Sequence, residues 1–575
     1  MDNEQVASML LDISRLQELE GEDSYKIRAY RKASQSIASL DRDINDLYRE
    51  GRLQEIPGVG RSIEGLINEL LSTGRCQFYE DLKKEIPPEL YDVMSVPGIG
   101  RKAAVKIHKV LGATTISEFR KAARERRIRN IRGMGEKIEK RILESIDSYQ
   151  KMREELRIPI FRGLAVASEI GGYLKDCDAI ERLELAGSLR RRATMVRDVN
   201  FLAASSDPKV VIDHFCNMPI TSIVKERGAN SARIITIYRV EATINVVDGE
   251  DWGLHMVFAT GSKGHLQALT EHATKKGIEL DNTGYINAVT AQRMQFLQEK
   301  ALYGSLELEY ISPELREGKG EIEAALNYGL PDLIELSDIK GDLHVHSAWS
   351  DGANSIQDIA MAARARGYEY VAICDHSVSL TVANGLSAGR LREQMAEIDR
   401  LNDTMEDFTI LKGCEVDIKA DGSLDLPDSV LEELDIVIGS IHVSLRQEPE
   451  VITQRVLKAF ENEYLTVLAH PTSRILGRRG PTMIDIDRVI EAAIDHGKVL
   501  EVNSYPDRLD LSDENVKKAM DAGAMVCIDT DSHSLTELDF LEYGVGNARR
   551  GWAPKSRVLN AMPCNRLLEF LEMRI

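Results

Sequence analysis

YVAICDHS (370–377), FTILKGCEVDI (408–418), DIVIGSIHVSL (435–445), LTVLAHP (465–471), KVLEVNSYP (498–506) and AMVCIDTDSHS (524–534) are short apolar runs, and amphipathic helical patterns lie between them. This alternation decides the fold of the last third of the chain: it predicts a C-terminal β/α barrel over 340–575. Chemistry in such barrels sits at the C-terminal ends of the strands. At those ends the runs break into polar residues; four of the chain's twelve histidines lie there and two more in the preceding DLHVH (342–346).

Those histidines are His344, His346, His376, His442, His470 and His533, and Asp351, Glu415 and Asp531 accompany them. His344 and His346 project from one strand face because side chains alternate with period two. Imidazole and carboxylate together suit Zn2+ or Mn2+, and nine such groups exceed one tetrahedral site, so two or three ions are expected. Multinuclear sites of this type hydrolyse phosphoesters by lowering the pKa of a bound water and clamping the attacking and leaving oxygens. Arg474, Arg478 and Arg479 follow His470 closely and are candidate phosphate-binding residues.

Upstream, IPGVG (56–60), VPGIG (96–100) and IRGMG (131–135) repeat one device, each before an amphipathic helical pattern. The glycines let the backbone turn and leave N–H groups exposed at the next helix's start, which suits phosphate oxygens. Gly58, Gly60, Gly98, Gly100, Gly133 and Gly135, with Arg61, Arg101 and Lys102 or Lys137 downstream, are therefore candidate sequence-independent DNA contacts. The net charge of −20 opposes nucleic-acid binding, but it is uneven: residues 101–150 hold fourteen Lys/Arg against six Asp/Glu. From 150 to 250 the runs RLELAGSL (182–189), VNFLAAS (199–205), RIITIYRV (233–240) and EATINVV (241–247) predict a mixed α/β domain. A small α+β unit follows over 255–318, and the polar, Pro- and Gly-containing stretch at 319–339 is expected to be a linker.

At 575 residues the chain needs several cores. No apolar run approaches the roughly 20 residues of a membrane span. The acidic N-terminus lacks the features of a secretory signal, and the seven cysteines include no C-x-x-C pair. A reducing, cytoplasmic setting without membrane partners is expected.

DLHVHSAWSDG (342–352), ICDHS, EVD, SIHVS, AHPTSR and DTDSH together resemble the polymerase and histidinol phosphatase (PHP) domain, whose nine metal-ligand positions are filled by the nine residues above. YGVGNARRGW (543–552) looks like the copy attached to family X DNA polymerases of bacteria and archaea. YKIRAYRKAS (25–34), AGSLRRR (186–192) and TGSKGH (260–265) extend the resemblance over the whole chain. It implies a multidomain protein: an α-helical helix-hairpin-helix N-terminal region (1–85), a fingers-like helix-hairpin-helix domain (86–150), an α/β nucleotidyltransferase-like palm (151–254), a small α+β thumb (255–318), and the PHP barrel after the linker. It also implies a Mn2+-dependent 3′→5′ exonuclease acting in DNA repair on gapped or 3′-damaged DNA. Gly187, Ser188 and Arg191 would hold a dNTP in the palm.

The palm departs from the family pattern. Two-metal nucleotidyl transfer uses three carboxylates on two Mg2+ ions. Here Asp198 remains, while Asn200 and Thr243 stand where the resemblance places the other two. One carboxylate is too little charge for two divalent ions, and a shift of two residues puts Glu241 roughly 6–7 Å along the strand from Thr243. Polymerase activity is expected to be weak or lost, the alternative being an active gap-filling DNA polymerase. Leu66 occupies the position of the family's lyase lysine, and leucine cannot form a Schiff base. A noncatalytic DNA-end scaffold and a small-molecule phosphatase are rivals that the ligand set and the hairpin repeats disfavour.

Overall fold

The computed structural model describes residues 3–573 apart from 21–23, 39, 41, 86, 88–89, 95, 97 and 156. The chain forms two compact units, Met1–Leu156 and Arg157–Ile575. No helix among the described residues is long and apolar enough to cross a membrane.

The first unit is helical. Gly60 and Gly100 are the N-caps of helices Arg61–Thr73 and Arg101–Leu111, and Gly135 precedes helix Glu136–Glu155. Val59, Ile99 and Met134, the apolar residues between the hairpin glycines, are buried in the unit's core. They pin each turn while its backbone stays outside. Gly58 has φ +91°, and a Cβ there would meet the backbone nitrogen of Ala33 at 2.8 Å, so the turn closes on helix Ser24–Ala38 only without a side chain.

The second unit starts with a five-stranded sheet. Strand Asp198–Ala204 lies between Arg182–Ala186, antiparallel, and Glu241–Val247, parallel. Ser231–Thr236 and then Thr221–Arg227 extend the sheet antiparallel to its edge. The edge strand Thr221–Arg227 is almost wholly exposed and had no apolar alternation to betray it. Helices Trp252–Thr260 and Lys263–Lys275 and a small antiparallel sheet follow.

Residues 319–339, expected as a linker, are packed instead. They contain helix Glu321–Leu326; Ile322, Ala325 and Leu333 enter the preceding α+β core, while Ile334 and Ile339 enter the barrel core. Burial of these apolar side chains outweighs the Pro and Gly punctuation that suggested a free segment.

The barrel has seven parallel strands in chain order, Gly341–Val345 to Met525–Asp529. It nearly closes where the His346 N–H donates to the Ser532 carbonyl at 2.9 Å. The strand ends of one rim therefore face a common centre.

Candidate metal centre

The strand ends bring all nine sequence-derived ligand candidates together. Glu415 ends up in the middle: its carboxylate lies 2.7 Å from His376 Nδ1, 3.0 Å from His470 Nε2, 3.3 Å from His442 Nε2 and 3.6 Å from His344 Nε2. Asp531 is 3.2 Å from His346 Nε2, and Asp351 is within 3.6 Å of His376 and His533. Three overlapping groups have ligand atoms within 4.8 Å of one another: His346, Asp351, His376 and His533; His344, His346 and Asp531; and His376, Glu415 and His442.

Two of these residues sit in left-handed backbone, His470 at φ 28° and Asp531 at φ 54°. Non-glycine residues adopt that region at a cost of order 1–3 kcal/mol, sustained where surrounding structure dictates side-chain direction. Here it turns both side chains inward at the ends of their strands.

The charges are buried together. Burial works to raise the Glu415 pKa, but His442, His376 and His344 outweigh it and hold the carboxyl well below its ordinary range. Burial lowers His346 to about 3, and His376 adds to this. His376 and His442 are instead pushed up to about 10 and about 9, because Glu415 overcomes their desolvation. Two buried ring nitrogens, His346 Nδ1 and His470 Nδ1, make no hydrogen bond, and His376 Nδ1 and Glu415 Oε2, 2.7 Å apart, meet without hydrogen-bond geometry. Buried polar atoms are rarely left so, and a cation is the partner that this donor set of imidazole nitrogens and carboxylate oxygens fits.

Behind the cluster stands a layer that sequence reasoning missed. Glu501 accepts from His344 Nδ1 at 2.6 Å and from the His470 backbone N–H at 2.6 Å. Asp417 lies 3.1 Å from His442 Nδ1, and Asp375 accepts from Ser347, Ser350 and Gln394. The available signal was an acidic residue inside the apolar strand Val499–Asn503. Carboxylates in this relation fix the tautomer and orientation of ligating imidazoles.

The three arginines after His470 part ways. Arg474 is buried, and its guanidinium donates to the carbonyls of Arg508 and Leu509, so it braces that loop. Arg478 is exposed beside Asp507, and Arg479 Nε donates to the Ser473 carbonyl at 3.0 Å.

In the five-stranded sheet, Asn200 Nδ2 donates to Asp198 Oδ1 at 2.8 Å, and Thr243 is the cross-strand partner of Asn200. Glu241 lies opposite Asp198, but its carboxylate is paired with Lys225 and Arg233. Gly187 has φ +62° and opens the short helix carrying Ser188. Arg191 binds Glu317 at 3.0 Å and the Thr260 carbonyl, so its guanidinium is engaged within the fold.

In the helical unit, a cavity of about 1120 Å³ adjoins the first hairpin and is lined by Lys26, Arg28, Lys32, Gly58, Gly60 and Arg61. Gly98, Gly100, Gly133 and Gly135 form the matching turns of the other two hairpins, with Lys102 and Lys137 on the helices after them. The Arg101 side chain and Pro97 lie outside the described residues.

Residues 1–76 match a helix-hairpin-helix domain model, 90–148 a SAM-like helix-hairpin-helix tandem, 255–317 a DNA polymerase beta thumb and 342–505 a PHP domain. The chain is 36% identical over 574 residues to the "DNA polymerase/3′-5′ exonuclease PolX" of Bacillus subtilis (strain 168), covering 100% of both. It is 30% identical over 230 residues to a "Probable phosphatase" of Thermoanaerobacter sp. (strain X514), covering 38% of this chain and 89% of that one. A "Probable phosphatase" of Acetivibrio thermocellus is 32% identical over 204 residues, 33% of this chain and 78% of that one.

Proposed function

Because the chain belongs to the family of PolX-type DNA polymerase/3′-5′ exonucleases, we propose that its barrel removes nucleotides from DNA 3′ ends using two or three Mn2+ or Zn2+ ions, and that its palm extends primers weakly or not at all. One contrast carries this reading. The barrel gathers nine ligand-type residues around Glu415, whereas the palm keeps Asp198 with Asn200 and Thr243 beside it.

His344, His346, Asp351, His376, Glu415, His442, His470, Asp531 and His533 would hold the ions. Bound there, the ions supply a water of lowered pKa and a clamp on the attacking and leaving oxygens. The chain's own residues do the rest. Glu501 and Asp417 keep the Nδ1 protons of His344 and His442, so that Nε2 of each faces the centre. Glu415, His344 and His346 are shut off from solvent, while Asp351 and His533 stay about one-third exposed and leave the cluster open on one side.

The helical unit would hold the DNA backbone through the N–H groups of its three hairpins. The domain limits 1–85, 86–150, 151–254 and 255–318 are our assignment, as are a cytoplasmic location and dNTP retention at Gly187 and Ser188. A gap-filling polymerase is the second reading, favoured by the name of the Bacillus subtilis relative. Glu241 does not rescue the carboxylate count, since Lys225 and Arg233 already neutralise it.

Incubating labelled gapped DNA with the protein and Mn2+, with and without dNTPs, tests the choice. Shortening from the 3′ end in both tubes is expected. Template-directed lengthening that survives His344→Ala and is lost with Asp198→Ala would establish the polymerase instead.

A further inference from the structure

The loop after strand Val499–Asn503 carries an arginine that no sequence pattern singled out. Arg508 Nε lies 3.5 Å from Asp531 Oδ2, and the side chain is 24% exposed. Its guanidinium makes no hydrogen bond to any described residue, whereas Asn503 Nδ2 already donates to the same carboxylate oxygen at 3.1 Å. A three-quarters buried guanidinium has five N–H donors to satisfy. This one has an ion pair at the long end of the range and an opening to solvent.

The loop is built to hold that position. Arg474 grips the carbonyls of Arg508 and Leu509 from below. Leu509 adopts φ 45° and buries its side chain in the core of the five-stranded domain, with Leu476 and Tyr543 packed against that core. The Asp507 carbonyl accepts from the Leu476 N–H at 2.6 Å. Arg479 lies within electrostatic reach of Arg508, and burial and then this neighbour lower its proton affinity.

We propose that Arg508 contacts substrate at the metal centre, taking a non-bridging oxygen of the scissile phosphodiester while the palm-anchored Leu509 fixes its position. The proposal rests on the reading of the nine residues as a metal centre. It also gives the degenerate palm a task that needs no polymerase chemistry: its core seats the loop that presents this arginine.

The test uses the full-length protein reconstituted with Mn2+, in wild-type, Arg508→Gln and Arg508→Lys forms, with two readouts. Elemental analysis after gel filtration gives metal per chain, and calorimetric titration gives the affinity for inorganic phosphate. Arg508→Gln should keep the wild-type metal content and bind phosphate about 10- to 100-fold more weakly, the loss expected for one charge-assisted contact. Arg508→Lys should recover part of it. Loss of metal from Arg508→Gln would overturn the proposal, since Arg508 would then serve Asp531 and not substrate. Unchanged phosphate affinity at full metal content would overturn it too. Wild-type protein that takes up no metal would sink the centre itself, a failure separable from the other two.

Discussion

Glu501→Gln probes whether the layer behind the ligands governs the metal centre. Both carboxylate oxygens of Glu501 are used, one by His344 Nδ1 at 2.6 Å and one by the His470 N–H at 2.6 Å, and the side chain is fully buried. Glutamine has the same shape but only one acceptor oxygen. If that oxygen serves His344, the amide N–H2 faces the His470 N–H, donor against donor. If it serves His470, the amide donates to His344 Nδ1, which forces the proton onto Nε2 and removes that nitrogen as a ligand. The first arrangement leaves the buried His470 N–H without an acceptor, at a cost of about 1–3 kcal/mol, and the second costs the centre a ligand nitrogen. This agrees with the roughly 10- to 100-fold loss of metal affinity typical when such an outer carboxylate is removed. Chelator competition with Mn2+ measures the affinity, and far-UV circular dichroism checks that the fold is kept. A folded Glu501→Gln protein whose Mn2+ affinity lies within threefold of wild type would refute the reasoning.

Three other outcomes are expected. Asn200→Asp with Thr243→Asp together should raise primer extension above wild type while either alone does little, because residues acting as one catalytic unit are non-additive; gel-resolved extension with Mg2+ and dNTPs reads this, and full extension by wild type would contradict it. DNA affinity should fall steeply with salt and depend little on sequence, and bulky residues at Gly98 and Gly100 should weaken it, as fluorescence anisotropy across salt concentrations would show. Glu299 joins Arg190 to the fully buried Arg316; burial works to raise its pKa, but those two arginines bring it down to about 2 from 4.5. A carboxyl depressed in this way stabilises the fold above its unfolded pKa and loses that contribution as pH falls from about 4.5 to about 2, a span worth about 3 kcal/mol. Denaturant unfolding of Glu299→Gln should therefore show a deficit of about 3–5 kcal/mol at neutral pH that shrinks through that window, since Arg316 is left buried and unpaired; an unchanged midpoint would refute the ion-pair account.

Much of the barrel was legible in the sequence because its signals are chemical and local. Apolar runs alternating with helical patterns fix the β/α order, and histidines recurring at strand ends have few uses other than binding. The glycine hairpins were legible for a similar reason, since a turn such as the one at Gly58 admits no side chain. Glu501 and Asp417 escaped notice because an acidic residue in an apolar strand announces itself only when its partner across the barrel is known. Strand Thr221–Arg227 was missed because an exposed edge strand needs no alternation.

The sequence by itself determined which residue types were available and in what order: nine ligand-type residues at strand ends, Asp198 followed by Asn200 and Thr243 in the five-stranded domain, three glycine hairpins. Only tertiary structure decided what the side chains beyond the strand ends do. Arg474 follows His470 as a phosphate-binding residue would, yet it is spent on two backbone carbonyls, while Arg508, in no motif, stands beside Asp531. Their directions are set by left-handed turns at His470, Ser473 and Leu509 and by a leucine seated in a neighbouring domain's core. The same holds for 319–339, which reads as a linker until the two cores that take up its apolar residues are in place. Long-range packing fixes these outcomes, and no local pattern of residues encodes it.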